Sequence, residues 1–519
     1  MSTISYFAMV FDASPTVFRR VFVASNKNGD GDTRQNEDRK PKLAPDGQTI
    51  LIPQPADDCN DPLNWSWLRK HAILLCVSFG AFAGDFGMSI GIPATVLQGA
   101  EWHISTSTIN EPNSLAVVMI GISSLVWIPL LNCWGRAPVL FWSTVLGLFF
   151  TLGCILAPTF PVYYAMRALQ ALTQGTGSSI GLALIQDMFF FHQYARKIGL
   201  WYAVFLISPF LGPMLGNFMV AGLGKWRPLF WLVFAWAAGL TAMILAVGDE
   251  TYYRRDMPLG RQPRRSGSRL WRVVGGWQLR VHKDYFESVR SSYARMFSIL
   301  LRPVVTVVSL VYGLLFMWSI GINQTSTILL GVSRETGGYG MSAQQIGYMY
   351  FSPVLSVCLG ELVGHRLNDF IVTWYARRHQ GRFVPEPRLW ATYLGGFFMV
   401  PGLVLVGITL QQHLHWVCIL FGWAMFQGGV MVVSVSMVAY VLDSYPSVPG
   451  EVSGWINMSR AACGFAIGYF QQVWGLKEGY GLSFGLQAVI CLAAFGLMVC
   501  IHVFGQRLRL LSEPQQNNI

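Results

Sequence analysis

Four ionisable side chains, Asp85, Arg167, Glu361 and Arg460, stand inside long apolar runs, apart from the polar tails and loops that hold the other charges. A charge at the centre of a bilayer costs about 2.5–3.5 kcal/mol on insertion scales, so each must face a partner, a water-filled cavity or the interior of a helix bundle. The chemistry open to such groups is proton exchange and ion pairing. Asp85, between Gly84 and Gly87 among apolar neighbours, is expected to handle a proton, with a structural pair to a neighbouring helix as the alternative. Glu361 has two readings: a second proton carrier, or a carboxylate neutralised by His365 or Arg366. Arg167 and Arg460 can each pair with an acid, with backbone carbonyls or with an anionic substrate. Asn323, Gln324, Gln427 and Asn457 can line a path through the protein, or can join one helix to the next.

The elements that position these groups follow from composition. Of 519 residues, 53% are hydrophobic and 12% charged, against about 25% charged in soluble domains. An ordinary soluble enzyme is excluded, and an integral membrane protein in a lipid bilayer is expected. The net charge of +11 does not indicate nucleic acid, because Lys and Arg lie in tails and loops rather than on one folded face. Nine scattered cysteines form neither a disulfide framework nor a zinc spacing. No Gly-rich ATP loop, His-Glu-x-x-His pair or nucleophile elbow is present, so we expect no cofactor, no metal and no enzyme.

Windows of about 20 apolar residues fall near 72–97, 113–132, 138–158, 161–185, 198–222, 227–247, 303–329, 343–365, 389–410, 415–441, 453–475 and 481–504. The expected fold is therefore an all-α membrane protein with twelve transmembrane helices. The expected organisation is a disordered N-tail (1–70), a six-helix bundle (71–247), a basic linker (248–302), a second six-helix bundle (303–505) and a C-tail (506–519). Of the 37 Lys and Arg, 31 fall on the side of the termini and the central insert, four in the opposite loops and two within spans. The excess places both termini and the linker in the cytoplasm.

The fifth span carries Gly199, Ser208, Gly212, Pro213, Gly216 and Asn217, small residues that admit a close neighbour and a proline that bends the axis. The second span ends in Pro129-Leu-Leu-Asn-Cys-Trp-Gly-Arg-Ala-Pro138, and the fourth supplies Arg167, Gln170, Gly175 and Gly177. These tracts resemble the antiporter signature, the first cytoplasmic loop and the arginine-bearing fourth helix of the major facilitator superfamily. Asp61-Pro-Leu-Asn-Trp65, Ile185-Gln-Asp-Met-Phe-Phe-Phe-His192, Ala195 to Trp201 and Glu250-Thr-Tyr-Tyr253 resemble its fungal branch of twelve-span multidrug:proton antiporters. In the loop, Asn132 stands in place of an acid and Ala137 in place of a second base, so a latch built on Asn132, Gly135 and Arg136 is expected to rest on hydrogen bonds.

The resemblance implies the major facilitator fold and gradient-driven export by alternating access, with Arg167 linked to proton transfer beside Asp85 and Glu361. It puts Phe82, Phe86, Tyr312, Trp318 and Phe426 on spans that form the inner cavity. With Gln170, Asn323, Gln324, Gln427, Asn457 and Arg460 they make up the expected substrate contacts. Many rings and few fixed charges suit bulky amphipathic organic molecules, drugs or secondary metabolites. The expected partners are that small molecule, protons and lipid. A monomer in the plasma membrane is expected, with the vacuolar membrane as an alternative. Two competing readings are proton-coupled uptake of a cationic nutrient such as a polyamine, and a nutrient sensor that keeps the fold without transport.

Overall fold

Prolines open many of the long helices, where their missing N–H costs nothing: Phe160–Gln174, Arg227–Val247, Pro303–Gly331 and Pro449–Glu478 each have Pro in the first turn. The computed structural model describes residue 42 and residues 51–333, 338–379, 384–445 and 448–512. Among the described residues the regular structure is helical throughout.

In the first half the spans are Trp67–Ser89, Thr106–Trp134, Arg136–Leu156, the pair Phe160–Gln174 and Thr176–Met188, Phe191–Leu223, and Arg227–Val247. In the second they are Pro303–Gly331, Ala343–Met349 continued as Phe351–Arg378, Trp390–Gln412, Trp416–Ser444, Pro449–Glu478 and Tyr480–Ser512. We number them spans 1 to 12. Ten described helices are long and apolar enough to cross a membrane. The other two are span 4, interrupted at Gly175, and span 11, diluted by Glu451, Asn457, Arg460, Gln471 and Lys477. We call the end of the bundle that bears residues 67 and 512 the proximal end, and the other the distal end.

Span 1 crosses span 4 at unusually close range. A Cβ on Gly177 would lie 2.1 Å from the backbone carbon of Gly80, so only hydrogen fits there, as in small-residue crossings of membrane helices. The two halves meet along spans 2 and 11, where Asn457 donates to Ser124 Oγ at 2.6 Å and Ser114 donates to Gln324 Oε1 of span 7 at 3.1 Å. They also meet at the distal end, where Phe218 of span 5 packs against Tyr348. The halves are therefore in contact from one end to the other.

Met1 to Ile50 of the expected disordered tail, Lys42 excepted, lie outside the described residues, as do 513–519 of the C-tail. The rest of the N-tail is ordered, which corrects the expectation for 51–70. Asp61 caps the single turn Pro62–Asn64 through Leu63 N and pairs with Arg255 Nη2 of the insert at 3.0 Å. Lys70 Nζ donates to Leu63 O. Pro62 opens that turn, so proline here fixes local structure. The C-terminal helix also runs past 505 to Ser512, with Arg509 paired to Glu386.

The insert is folded as well. Asp249 sits between Arg69 and Arg272, accepting from Arg272 Nε at 2.9 Å and Nη2 at 3.0 Å. Burial alone would raise the Asp249 carboxyl, but the Arg272 and Arg69 guanidiniums outweigh it and hold it below the ordinary carboxylate range. The last insert helix, Val289–Leu300, lies across the junction of the halves. Ser292 and Tyr293 donate to Pro129 O and Val126 O of span 2. Arg295 bonds both Glu287 and Glu451, and Trp455 of span 11 donates to Met296 O.

Candidate functional site

Midway between the halves lies a small cavity of about 30 Å³. Span 1 gives it Asp85 and Met88, span 5 Phe210, span 7 Phe316, Ser319, Asn323 and Gln324, and span 11 Arg460. Four expected site residues, Asp85, Asn323, Gln324 and Arg460, are thus brought together by elements far apart in sequence.

Asp85 and Arg460 form the charged centre. Arg460 Nη2 is 3.8 Å from Asp85 Oδ1, beyond hydrogen-bond reach, and Asp85 Oδ2 has no hydrogen-bond partner in the structure. Both residues are under 10% exposed. Arg460 is held by Asn457 Oδ1 at 2.8 Å and by the faces of Phe205 and Phe316, with ring centroids 5.2 and 5.1 Å away. The carboxylate is therefore attracted to a fixed cation without being locked to it, and it lines the small cavity.

Asn323 is placed by the motif on span 5. Pro213 has no N–H, so the carbonyl four residues earlier, Pro209 O, loses its helical donor. Asn323 Nδ2 of span 7 donates to that oxygen at 2.9 Å, and Tyr350 donates to Asn323 Oδ1 at 2.9 Å. The proline-bearing helix thus yields a hydrogen bond between the halves at the cavity wall. Gly212 and Gly216 face Ser89, Ile90 and Pro93 at the end of span 1, as a packing motif should. Gly199 has no comparably close neighbour.

Arg167 is fully buried in the first half. It donates to Gly87 O at 2.7 Å, to Met88 O, to Gln170 Oε1 at 2.8 Å and to Asn113 Oδ1 at 3.4 Å. The hydrogen bonds and ion pairs found for it include none to Asp85; it caps the carbonyls that follow Asp85 in span 1. Gln170 supports Arg167 and donates to Thr151 Oγ1, so it belongs to the interior of the first half.

Glu361 is apart from the cavity walls. Its Oε1 is 2.8 Å from His365 Nε2 one turn along span 8, and its Oε2 is buried without a partner. Of the two possible neutralising groups, His365 is the one in contact.

Several expected substrate contacts stand elsewhere. Phe82 and Phe86 stack on each other and lie tilted against Trp236 of span 6. Tyr312 shares a hydrogen bond with Ser434 at 2.6 Å. Trp318 and Phe426 are sealed in the second half, and Gln427 lies behind the wall, accepting from Ser319 Oγ at 2.7 Å. Rings at these positions fill helix crossings inside each half, and the cavity rings are Phe210 and Phe316, which the sequence reading did not single out. Pro213, three residues on in the same helix, could have pointed to Phe210.

The proximal loop also departs from expectation. Arg136 does not rely on Asn132 alone: its Nε bonds Asp187 Oδ2 at 3.0 Å, and its Nη1 bonds Leu131 O and Asn132 Oδ1. Glu250 accepts from Arg136 N at 2.9 Å, and Gln278 donates to its other oxygen at 2.8 Å. The acid absent at 132 is supplied by Asp187 and Glu250, residues of the quoted tracts whose charge had not been assigned to the latch. Gly135 allows this: with φ of 87° and Glu250 Oε2 only 2.3 Å from where a Cβ would stand, a side chain is excluded.

Comparison with known proteins gives a consistent result. Residues 74–469 match the Major Facilitator Superfamily. The chain is 24% identical over 465 residues to the efflux pump radE of Floropilus chiversii, covering 87% of this chain and 83% of that one. It is 22% identical over 507 residues to the MFS antiporter QDR3 of Candida albicans, covering 77% and 72%. The human organic anion transporter MFSD10 superposes with a TM-score of 0.56 at 17% identity, over 83% of this chain and 99% of that one.

Proposed function

The chain belongs to the major facilitator superfamily, and on that premise we propose that it exports bulky amphipathic organic molecules in exchange for protons. The observation that carries this reading is the Asp85–Arg460 pair in the cavity between the halves. With Asp85 charged, its attraction to Arg460 ties span 1 to span 11. A proton on Asp85 cancels that attraction and leaves Arg460 to Asn457 and its two rings. Protonation and the packing of the halves are thereby linked, which is what alternating access by rocking halves needs. Phe210, Phe316 and Met88 supply apolar surface for the cargo, and Asn323, Gln324 and Ser319 supply hydrogen bonds.

Arg167 acts on this site by fixing the end of span 1 rather than by exchanging the proton, and Glu361 with His365 is a second titratable site nearer the proximal end. The charge excess of the sequence supports a cytoplasmic proximal end. Relatives bearing the names efflux pump and antiporter support export. Uptake of a polyamine is disfavoured because Asp85 faces a fixed cation and Glu361 does not share its cavity. A sensor that keeps the fold without transport is disfavoured because the proximal latch is intact, with Arg136 bonded to Asp187 and Glu250.

The cargo is identified by comparing metabolites retained by cells with and without the chain. It is then loaded into vesicles with an imposed pH difference. Movement opposite to protons, abolished in Asp85→Asn with surface delivery intact, is the expected result. Movement with protons, or normal pH-driven export by Asp85→Asn, overturns the assignment.

A further inference from the structure

We propose that the insert hairpin formed by Arg269–Val274 and Gly276–Tyr285 is a docking surface for anionic phospholipid in the leaflet at the proximal end. This inference rests on the membrane location alone and is independent of export.

The hairpin is two-sided. Val273, Trp277 and Gln278 are buried against the protein, while Leu270, Trp271, Val274 and Leu279 are exposed, Leu279 by 67%. Four outward apolar side chains on two short helices are out of place in water, where a contiguous apolar patch marks a contact surface. Their neighbours say which surface it is. The indole of Trp142, near the proximal end of span 3, donates to Val274 O at 2.9 Å, and Trp142, Leu146 and Phe149 are exposed along the same helix. The outward side of the hairpin therefore continues a belt of exposed apolar side chains on a spanning helix, and a belt of that kind faces acyl chains. The level is set by Trp142 and Trp271, a residue type that gathers at the membrane interface.

The charges select the headgroup. Arg269 and Arg280 are both exposed. Arg269 reaches Leu245 O, at the proximal end of span 6, with a 2.9 Å hydrogen bond, and the Arg280 guanidinium lies 5.7 Å from the Trp271 ring. Each cation is thus held at the rim of the apolar patch, where a lipid phosphate would sit. The nearby acid Asp249 is buried and already paired with Arg69 and Arg272, so it offsets little of this charge. Apolar side chains flanked by arginine, set beside a spanning helix, are the pattern of an interfacial helix, and each such cation adds roughly fivefold to affinity for an anionic leaflet.

The test uses the full chain in nanodiscs of phosphatidylcholine alone or with phosphatidylserine. Amide hydrogen exchange is followed over residues 268–281, and retained lipid is counted by native mass spectrometry. Exchange is expected to be slowest in the discs containing phosphatidylserine, and Arg269→Gln/Arg280→Gln is expected to retain that lipid roughly thirtyfold less strongly. Arg280→Gln alone serves if the double variant folds poorly, with a roughly fivefold effect. Equal exchange in detergent and in both discs overturns the proposal. Protection identical in the two bilayers overturns it too, since the patch would then be an anchor indifferent to the headgroup.

Discussion

Replacing Arg460 with glutamine, with Asp85 left in place, is the most informative perturbation of the site. At 3.8 Å and an effective dielectric of about 20, the two charges attract by about 4 kcal/mol. Removing one member of a buried pair typically costs about 3–5 kcal/mol, because the other is left uncompensated. Arg460→Gln should therefore destabilise the folded protein by about that amount near neutral pH. Asp85→Asn should cost less, since Arg460 keeps Asn457 and the rings of Phe205 and Phe316. The double variant has no buried charge at the site and should be more stable than Arg460→Gln alone. The assay is unfolding of all four proteins in one detergent, read as a double-mutant cycle. A coupling of about 2–4 kcal/mol is expected, at the upper end if the site stays dry. A lone buried carboxylate takes up a proton rather than stay charged, so the deficit of Arg460→Gln should shrink on acidification. Additivity within about 0.5 kcal/mol at neutral pH would refute the reasoning that the pair joins the halves.

Other consequences are open to direct measurement. Arg295→Ala breaks the bonds to Glu287 and Glu451 and should loosen the proximal seam, seen as faster maleimide labelling of a cysteine placed at Ser124; unchanged labelling would count against the insert helix as a clasp. Gly177→Ala forces a Cβ into the Gly80 backbone and should abolish monodisperse protein in size-exclusion chromatography, whereas Gly239→Ala, with open space around it, should be silent. The folded carboxyl of Asp249 is held low, so its stabilising effect is complete above the unfolded value of about 3.9 and is lost as pH falls through the lower folded value. Asp249→Asn should therefore be weaker than the parent by about 1.5–3 kcal/mol at a constant margin from pH 7 to about 4, with the gap closing below that, as read by hydrogen exchange over the insert.

The twelve spans and the division into two halves were legible because lipid imposes a length and a polarity on every crossing, and those are local properties of sequence. Asp85 could be found by elimination for the same reason. Its partner could not, because spans 1 and 11 meet only through the tertiary fold, and both buried arginines were candidates. The aromatic residues misled for a related reason: a ring inside a span can fill a crossing within one half, as Phe82 does against Trp236, or face the cavity, as Phe316 does. Local pattern does not separate these. The ordered stretch 51–66 was missed because the burial of Asp61 depends on Arg255 of the insert. Pro213 shows the reverse case: a residue noted for bending a helix also determines, through the carbonyl it leaves free, where Asn323 bonds.

The two spans that fall short as self-sufficient crossings, 4 and 11, are also the two that carry the buried arginines. During synthesis each would enter the translocon as a poor candidate for partitioning into lipid, yet each finds its compensation on a segment made earlier. Arg167 meets the carbonyls of span 1, and Arg460 meets Asp85 with Phe205 and Phe316. Biogenesis of this protein is therefore ordered by its charges: the late helix can settle only once the first half stands assembled.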